Sequence, residues 1–132
     1  MRTTRLIAAG LLVPVALLTA TGCSSSTKTK AASGPTVSIK LLAFNPTKLT
    51  VKVGAKVTWE NDEAISHTVT SGTPIGIDAT TGLRASQKPD GRFNAKLNDK
   101  GSTFSFTYNT AGTYDYYCSI HPGMNAEVVV TP

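Results

Sequence analysis

The sequence contains few of the residues that bind metals or form disulfides, with two Cys, two His and two Met in 132 residues. One of the cysteines, Cys23, precedes the part of the chain expected to fold, so Cys118 has no partner for a disulfide within that part. A lone thiol is chemically exposed in an oxidising compartment unless something protects or uses it. The positions of these few residues are therefore informative.

Positive charge is also scarce where it would matter for nucleic acid binding. The chain has 13 Lys and Arg against 8 Asp and Glu, but four of the cations precede residue 36, and residues 101–132 contain none. The remaining chain is close to neutral and lacks the basic patch that phosphates require. We therefore expect no nucleic acid partner.

No apolar run in the chain is long enough to span a membrane comfortably. Residues 6–18 are apolar and follow two arginines, which predicts a signal peptide over residues 1–22. The small residues before Cys23 resemble a bacterial lipobox, although Ala20 stands where that motif usually has Leu. We expect an exported protein held on the cell membrane or outer envelope surface by a lipid on Cys23. Ordinary cleavage that leaves a free cysteine is the alternative.

The mature chain divides into a tether and one domain. Residues 23–35 contain no large apolar residue after Cys23, so they cannot form a core and are predicted to be a flexible tether. Residues 36–132 have the length of a single domain with its own core. We expect this domain to be monomeric.

Helical periodicity is absent from the domain, and a period of two replaces it. Apolar and polar residues alternate in several short runs separated by turn signals such as Asn45-Pro46 and Pro122-Gly123. This pattern predicts seven or eight strands in an all-β, Greek-key antiparallel β-sandwich. The residues expected on the inward faces are Val37, Ile39, Leu41, Leu49, Val51, Val53, Val57, Trp59, Phe104, Phe106, Tyr108, Tyr114, Tyr116, Cys118, Ala126, Val128 and Val130.

One segment does not follow the alternating pattern. Residues 71–100 are rich in Gly, Thr, Asp and Lys, and only "RFNAKL" at 92–97 alternates. We expect a long surface excursion that holds one short strand. The sequence assigns this segment no role.

The scarce ligand-type residues fall at strand ends and in one turn. His67 has the same parity as the inward-facing Val69, Cys118 ends a strand, and His121 and Met124 lie on the turn that follows. A sandwich can bring such positions together at one end. Zinc sites do not usually include a thioether, whereas two imidazoles, a thiolate and a long axial Met form a blue copper electron-transfer centre.

The arrangement resembles the cupredoxins, the small type 1 blue copper proteins. The resemblance rests on "GTYDYYC", on the C-x2-H-x2-M spacing from Cys118, and on a His some fifty residues upstream. It implies one copper ion with His67, Cys118 and His121 as equatorial ligands and Met124 as the axial ligand. It further implies a non-enzymatic electron carrier between a donor and an acceptor redox protein.

One residue departs from the pattern of this family. Many members have Asn directly after the first ligand His, and this chain has Thr68. The Thr68 N–H can still approach the ligand sulfur, but the side-chain tie between neighbouring loops is expected to be altered.

Other functions fit the sequence less well. A multicopper oxidase or nitrite reductase needs further His ligands, and a binuclear copper centre needs a second Cys near Cys118. Cys–His nucleophilic catalysis would leave Met124 unexplained. A structural or adhesive sandwich stays open, because fold alone does not give function. The main alternative is copper storage or delivery, since it would use the same ligands.

Overall fold

The structure is a computed structural model that describes residues 34–132. The predicted signal peptide, Cys23 and nearly all of the tether lie outside the described residues. Within the described range the chain forms nine strands: β1 (Thr36–Lys40), β2 (Ala43–Asn45), β3 (Lys48–Lys52), β4 (Lys56–Asn61), β5 (His67–Ile77), β6 (Arg84–Leu97), β7 (Thr103–Thr107), β8 (Gly112–Tyr117) and β9 (Asn125–Thr131).

The strands form two sheets that pack face to face. One sheet has the order β2-β1-β4-β7 and the other has the order β3-β9-β8-β5-β6. The predicted all-β sandwich is confirmed. Two pairings, β1 with β4 and β3 with β9, are parallel, so the sheets are mixed where the sequence suggested antiparallel pairing throughout. Residues 34–132 hold no helix of the length and hydrophobicity needed to cross a membrane.

The core is built around Trp59 on β4. Its ring stacks on Phe104 at 5.7 Å between centroids and meets the edge of Tyr116, from the opposite sheet, at 5.3 Å. Aromatic pairs of this kind add to the hydrophobic stabilisation that their buried area provides. The alternating pattern of the sequence is thus the pattern of side chains between the two sheets.

The prediction of inward-facing residues is wrong at two positions, Leu41 and Val53. Strand β1 ends at Lys40, and Leu41 and Leu42 follow with φ angles of 55° and 54° in a left-handed turn. Leu41 is 82% exposed, and Val53, which follows the end of β3, is also exposed. A residue distant in sequence stabilises this turn: the Glu63 carboxylate accepts hydrogen bonds from the N–H groups of both leucines.

The prediction of one short strand in a surface excursion is also wrong. Strand β5 continues to Ile77 and pairs with β6, which begins at Arg84 and not at residue 92. The two strands form a long antiparallel hairpin, called the β5–β6 hairpin below. Most of its residues beyond Gly72 are exposed to solvent on both faces, and Arg84 at its end is buried. No alternation of apolar and polar residues is required there, so the sequence pattern did not reveal these strands.

The hairpin has a tight point at Gly72, where the register of β5 against β6 shifts. Gly72 has a φ of +137°, and a Cβ at this position would lie 2.6 Å from Pro89 Cα and 2.9 Å from Asp90 N. Only glycine combines this conformation with so close an approach of two backbones. The pairing of β5 with β6 at this point therefore requires glycine at position 72.

Gly72→Ala should destabilise the protein by roughly 2–4 kcal/mol, because it adds steric overlap to the strain of a positive φ. Gly91→Ala is the matched control, since Gly91 has a φ of +82° with no atom within 4 Å of its Cβ position. The control should cost about 1 kcal/mol. Urea unfolding of both variants and the parent measures the difference. Equal costs for the two variants would contradict the close pairing at Gly72.

Candidate metal centre

His67 is fixed at the start of β5 by the loop before it. The buried side chain of Asn61 donates hydrogen bonds to the carbonyl oxygens of Ile65 at 2.9 Å and Leu97 at 3.0 Å. Leu97 is also the register partner of His67 on β6. These contacts hold both ends of the loop, and the His67 side chain is fully buried.

Cys118 directly follows β8 and begins the ligand loop, defined as residues 118–124. The Cys118 N–H donates to the Met124 carbonyl at 3.0 Å, and the Met124 N–H donates to the His121 carbonyl at 3.0 Å. Cys118 and Met124 are buried, and His121 is half-buried. Two backbone hydrogen bonds thus fold the loop onto itself and bring its three ligand-type residues to one end of the sandwich.

Three of the four predicted ligand residues converge. One ligand atom from each of His67, Cys118 and His121 lies within 4.8 Å of the other two. Cys118 Sγ lies 3.4 Å from His121 Nδ1, and the two imidazole rings are 4.9 Å apart between centroids. Met124 is buried in the same loop and linked through its backbone to both Cys118 and His121.

Glu63 sets the tautomer of the His67 ring. His67 Nε2 donates to the Glu63 carboxylate at 2.9 Å, whereas the buried Nδ1 has no hydrogen-bond partner within the described chain. A buried nitrogen without a partner is costly. Because Nε2 carries the proton, Nδ1 keeps a lone pair that a metal ion can bind. The unpartnered Nδ1 atom therefore indicates that the site can hold a metal.

The environment of the other ligand atoms also favours metal binding. Burial lowers the pKa of His121, and the adjacent His67 lowers it further, so the imidazole is neutral at physiological pH. The Thr68 N–H donates to Cys118 Sγ at 3.3 Å, so the sulfur is held in a fixed position beside the start of β5. A neutral imidazole and a thiolate are the forms that bind metals.

The Thr68 side chain provides a tie between β5 and the ligand loop. Its Oγ1 accepts a hydrogen bond from the Ser119 N–H at 2.7 Å and lies 3.0 Å from Ser119 Oγ. The tie expected from Asn in related proteins is therefore present in altered form, made by a hydroxyl group instead of an amide.

Glu63 and Arg84 are site residues that sequence reasoning missed. Burial tends to raise the pKa of Glu63, but hydrogen bonds from Leu42, His67 and Leu41 lower it overall. Its only sequence signal is a position four residues before His67, which is weak. Arg84 reaches the ligand loop from the β5–β6 hairpin, and no sequence signal marks it.

The chemistry of the donor set selects the metal. Zinc also accepts two imidazoles and a thiolate, but a thioether in the same loop is not a usual zinc ligand, and the full set suits copper. The fold and the site therefore define a copper-binding β-sandwich. The family model described as copper binding proteins of the plastocyanin/azurin family matches residues 20–131. The chain belongs to this family.

Several characterised proteins are similar to the chain. Amicyanin-alpha of Methylorubrum extorquens is 32% identical over 111 residues, which cover 84% of this chain and 83% of that protein. Amicyanin of Paracoccus denitrificans is 36% identical over 71% of this chain and 63% of its own length. Plastocyanin of Scenedesmus fuscus is 32% identical over 68% of this chain and 86% of its own length.

Solved structures show the same similarity. A purple cupredoxin from Nitrosopumilus maritimus aligns with a TM-score of 0.57 and 29% identity, over 74% of this chain and 99% of that one. A reduced amicyanin variant aligns with a TM-score of 0.57 and 34% identity, over 76% of this chain and 85% of that one.

Glu63→Ala should weaken Cu(II) binding by roughly 10- to 100-fold, because His67 would lose the acceptor that fixes its tautomer and ring orientation. Competition titration against a chelator of known affinity measures the change. Glu127→Ala is the control, since Glu127 lies on β9 and pairs with Lys48 at 2.8 Å. Parental affinity in Glu63→Ala would show that the Glu63 contact does not support the metal site.

Proposed function

We propose that the protein is a small electron carrier that uses one type 1 copper ion. His67, Cys118, His121 and Met124 would hold the ion. The observation that supports this assignment best is the convergence of the three ligand atoms within 4.8 Å, with the buried His67 Nδ1 left free of any hydrogen bond among the described residues.

When bound, copper would supply a one-electron couple between Cu(I) and Cu(II). The chain contributes ligands whose positions are set by strands and by the hydrogen bonds of the ligand loop. Because the protein fixes those positions, they would change little between the two oxidation states, and such a site permits fast electron transfer. If these four residues all hold the ion, no position would be left for a substrate, so we propose that the protein is not an enzyme.

Electrons would enter and leave through the half-buried edge of His121. The neighbouring Ile120 is 54% exposed, Leu83 from the β5–β6 hairpin is 49% exposed, and Pro122 is also exposed. Ile120 and Pro122 flank His121 in the sequence and Leu83 approaches Gly123 of the same loop, so these residues would provide an uncharged apolar rim that suits brief docking of a donor or acceptor redox protein to a monomeric carrier.

Burial of the ligands favours a carrier over a protein that stores or delivers copper. Cys118 is fully buried, Met124 is nearly so, and the backbones of both residues are hydrogen-bonded to each other. Transfer of Cu(I) to another protein requires an incoming ligand to replace the sulfur atoms one at a time. The loop would have to open before that exchange could begin.

The purified domain loaded with Cu(II) should show the intense blue charge-transfer band of a copper–thiolate bond, and Cys118→Ser should abolish it. Electron exchange with a small redox partner should be much faster than loss of Cu(I) to a strong chelator. Visible and paramagnetic spectra and the two rates provide the measurements.

Ile120→Lys is the companion variant, because it changes the rim without touching a ligand. It should alter electron exchange and leave the colour unchanged. A band that survives Cys118→Ser would overturn the ligand assignment. Rapid copper release with slow electron exchange would instead assign the protein to copper delivery.

For the location of the protein, we propose export and attachment to a membrane through a lipid on Cys23, with residues 24–35 as a spacer. The basis is the sequence of the leader alone. A diacylglyceryl-type anchor binds firmly, whereas a single acyl chain binds weakly. Cys23→Ala should block processing or release the protein in membrane fractionation. Unchanged membrane attachment of the variant would remove this proposal.

A further inference from the structure

Arg84 is a buried cation that the proposed ligands do not use. It begins β6 at the end of the β5–β6 hairpin and is only 7% exposed. We propose that Arg84 is a positioning residue, which holds the ligand loop in its metal-binding conformation and whose charge raises the reduction potential of the site. The part about the potential rests on the proposed function, whereas the part about the loop does not.

The guanidinium of Arg84 is surrounded by acceptors from the ligand loop and its flank. The carbonyl oxygen of Cys118 accepts from Nη2. Nη1 points toward a group of acceptors that lie at 3.0–3.4 Å: the carbonyls of His121, Pro122 and Met124, and Oδ1 of Asn125. One side chain thus contacts the backbone of three of the four proposed ligands.

The orientation of the guanidinium is itself fixed. Its Nε and Nη2 donate to Gln87 Oε1 at 2.9 and 2.6 Å, and its carbon lies 4.8 Å from the centroid of the Tyr117 ring. Contacts on the planar face and along one edge leave the remaining N–H groups directed at the loop. A lysine could not reproduce this arrangement, because it has one donor atom in place of a fork.

The backbone of the hairpin reinforces the contact. The Arg84 N–H donates to the Pro122 carbonyl at 3.2 Å, and Asn125 Nδ2 donates to the Gly82 carbonyl at 3.1 Å. Leu83 Cδ2 lies 3.3 Å from the point that a Cβ would occupy at Gly123. The end of the hairpin therefore packs along the ligand loop, which gives a role to a segment that the sequence left without one.

The charge of Arg84 has no acidic partner among residues 34–132. The ion pairs in this part of the chain involve Lys48, His67 and Arg92. Burial lowers the pKa of Arg84 while the nearby Cys118 opposes that change, and an arginine stays protonated at neutral pH. The site gains a positive charge on oxidation, so an unpaired buried cation beside it disfavours the oxidised state.

The first test uses metal-free protein and amide hydrogen exchange. Arg84→Met keeps the length of the apolar stem but removes every side-chain donor, so exchange should accelerate by about tenfold at the Ser119 and Met124 amides, as expected when a local opening becomes easier. Arg92→Met is the matched control. Arg92 also lies on β6 and over a tyrosine ring, 4.6 Å from the centroid of Tyr114, but it is exposed.

The second test measures the reduction potential of the copper-loaded variants. Arg84→Met should retain a blue band, and its equilibrium with a common redox mediator should shift toward the oxidised form by about tenfold. Arg84→Lys should stay near the parent in potential, because the charge remains, but its loop amides should exchange faster. Arg92→Met should match the parent in both measurements.

Each outcome decides the proposal. Parental exchange and potential in Arg84→Met would overturn it, as would faster exchange spread over the whole domain with no excess at the loop. If Arg84→Met does not fold, Gln87→Met takes its place, because it frees two guanidinium contacts and should accelerate exchange at the same amides; parental exchange there would overturn the proposal. A parent protein without a blue band would refute the proposed function, while the metal-free exchange would still test the loop.

Discussion

The site depends on the pairing of β5 with β8. These strands come from distant parts of the chain, and their register sets Thr70 opposite Tyr117. That register brings His67 and Cys118 to the same end of the sheet. There the Thr68 N–H donates to Cys118 Sγ at 3.3 Å. A slip by one residue would turn each side chain to the opposite face. The core around Trp59 serves the site mainly by preventing such a slip.

Around this pairing, polar contacts from three separate segments fix the remaining ligand positions. Glu63 orients His67 from the loop before β5, Thr68 ties β5 to Ser119, and Arg84 contacts the ligand loop from the far side. Each contact is a hydrogen bond in a buried or half-buried setting, where geometry is strict and the loss of one partner is costly. The ligands are therefore held from several directions, as a rigid metal site requires.

The parts of this structure that the sequence predicted are those in which local pattern and burial coincide. Alternation revealed the sandwich because one face of each core strand is apolar, and the scarcity of Cys, His and Met singled out the ligand-type residues. The β5–β6 hairpin escaped notice because solvent on both of its faces removes the alternation. Leu41 was misplaced because Glu63, a distant acceptor, holds its left-handed turn. Arg84 could not be predicted, because its partners are backbone carbonyls that only the tertiary fold assembles.

The same contacts impose a cost on the metal-free protein. The His67 Nδ1 atom is buried without a hydrogen-bond partner, and the Arg84 charge is buried without an acidic partner in the described residues. Both features oppose folding when no metal is bound. A metal ion on His67 Nδ1 would remove the first cost, and its free energy of binding would add to the stability of the fold. The unpaired nitrogen of His67 thus favours metal binding over the stability of the empty chain.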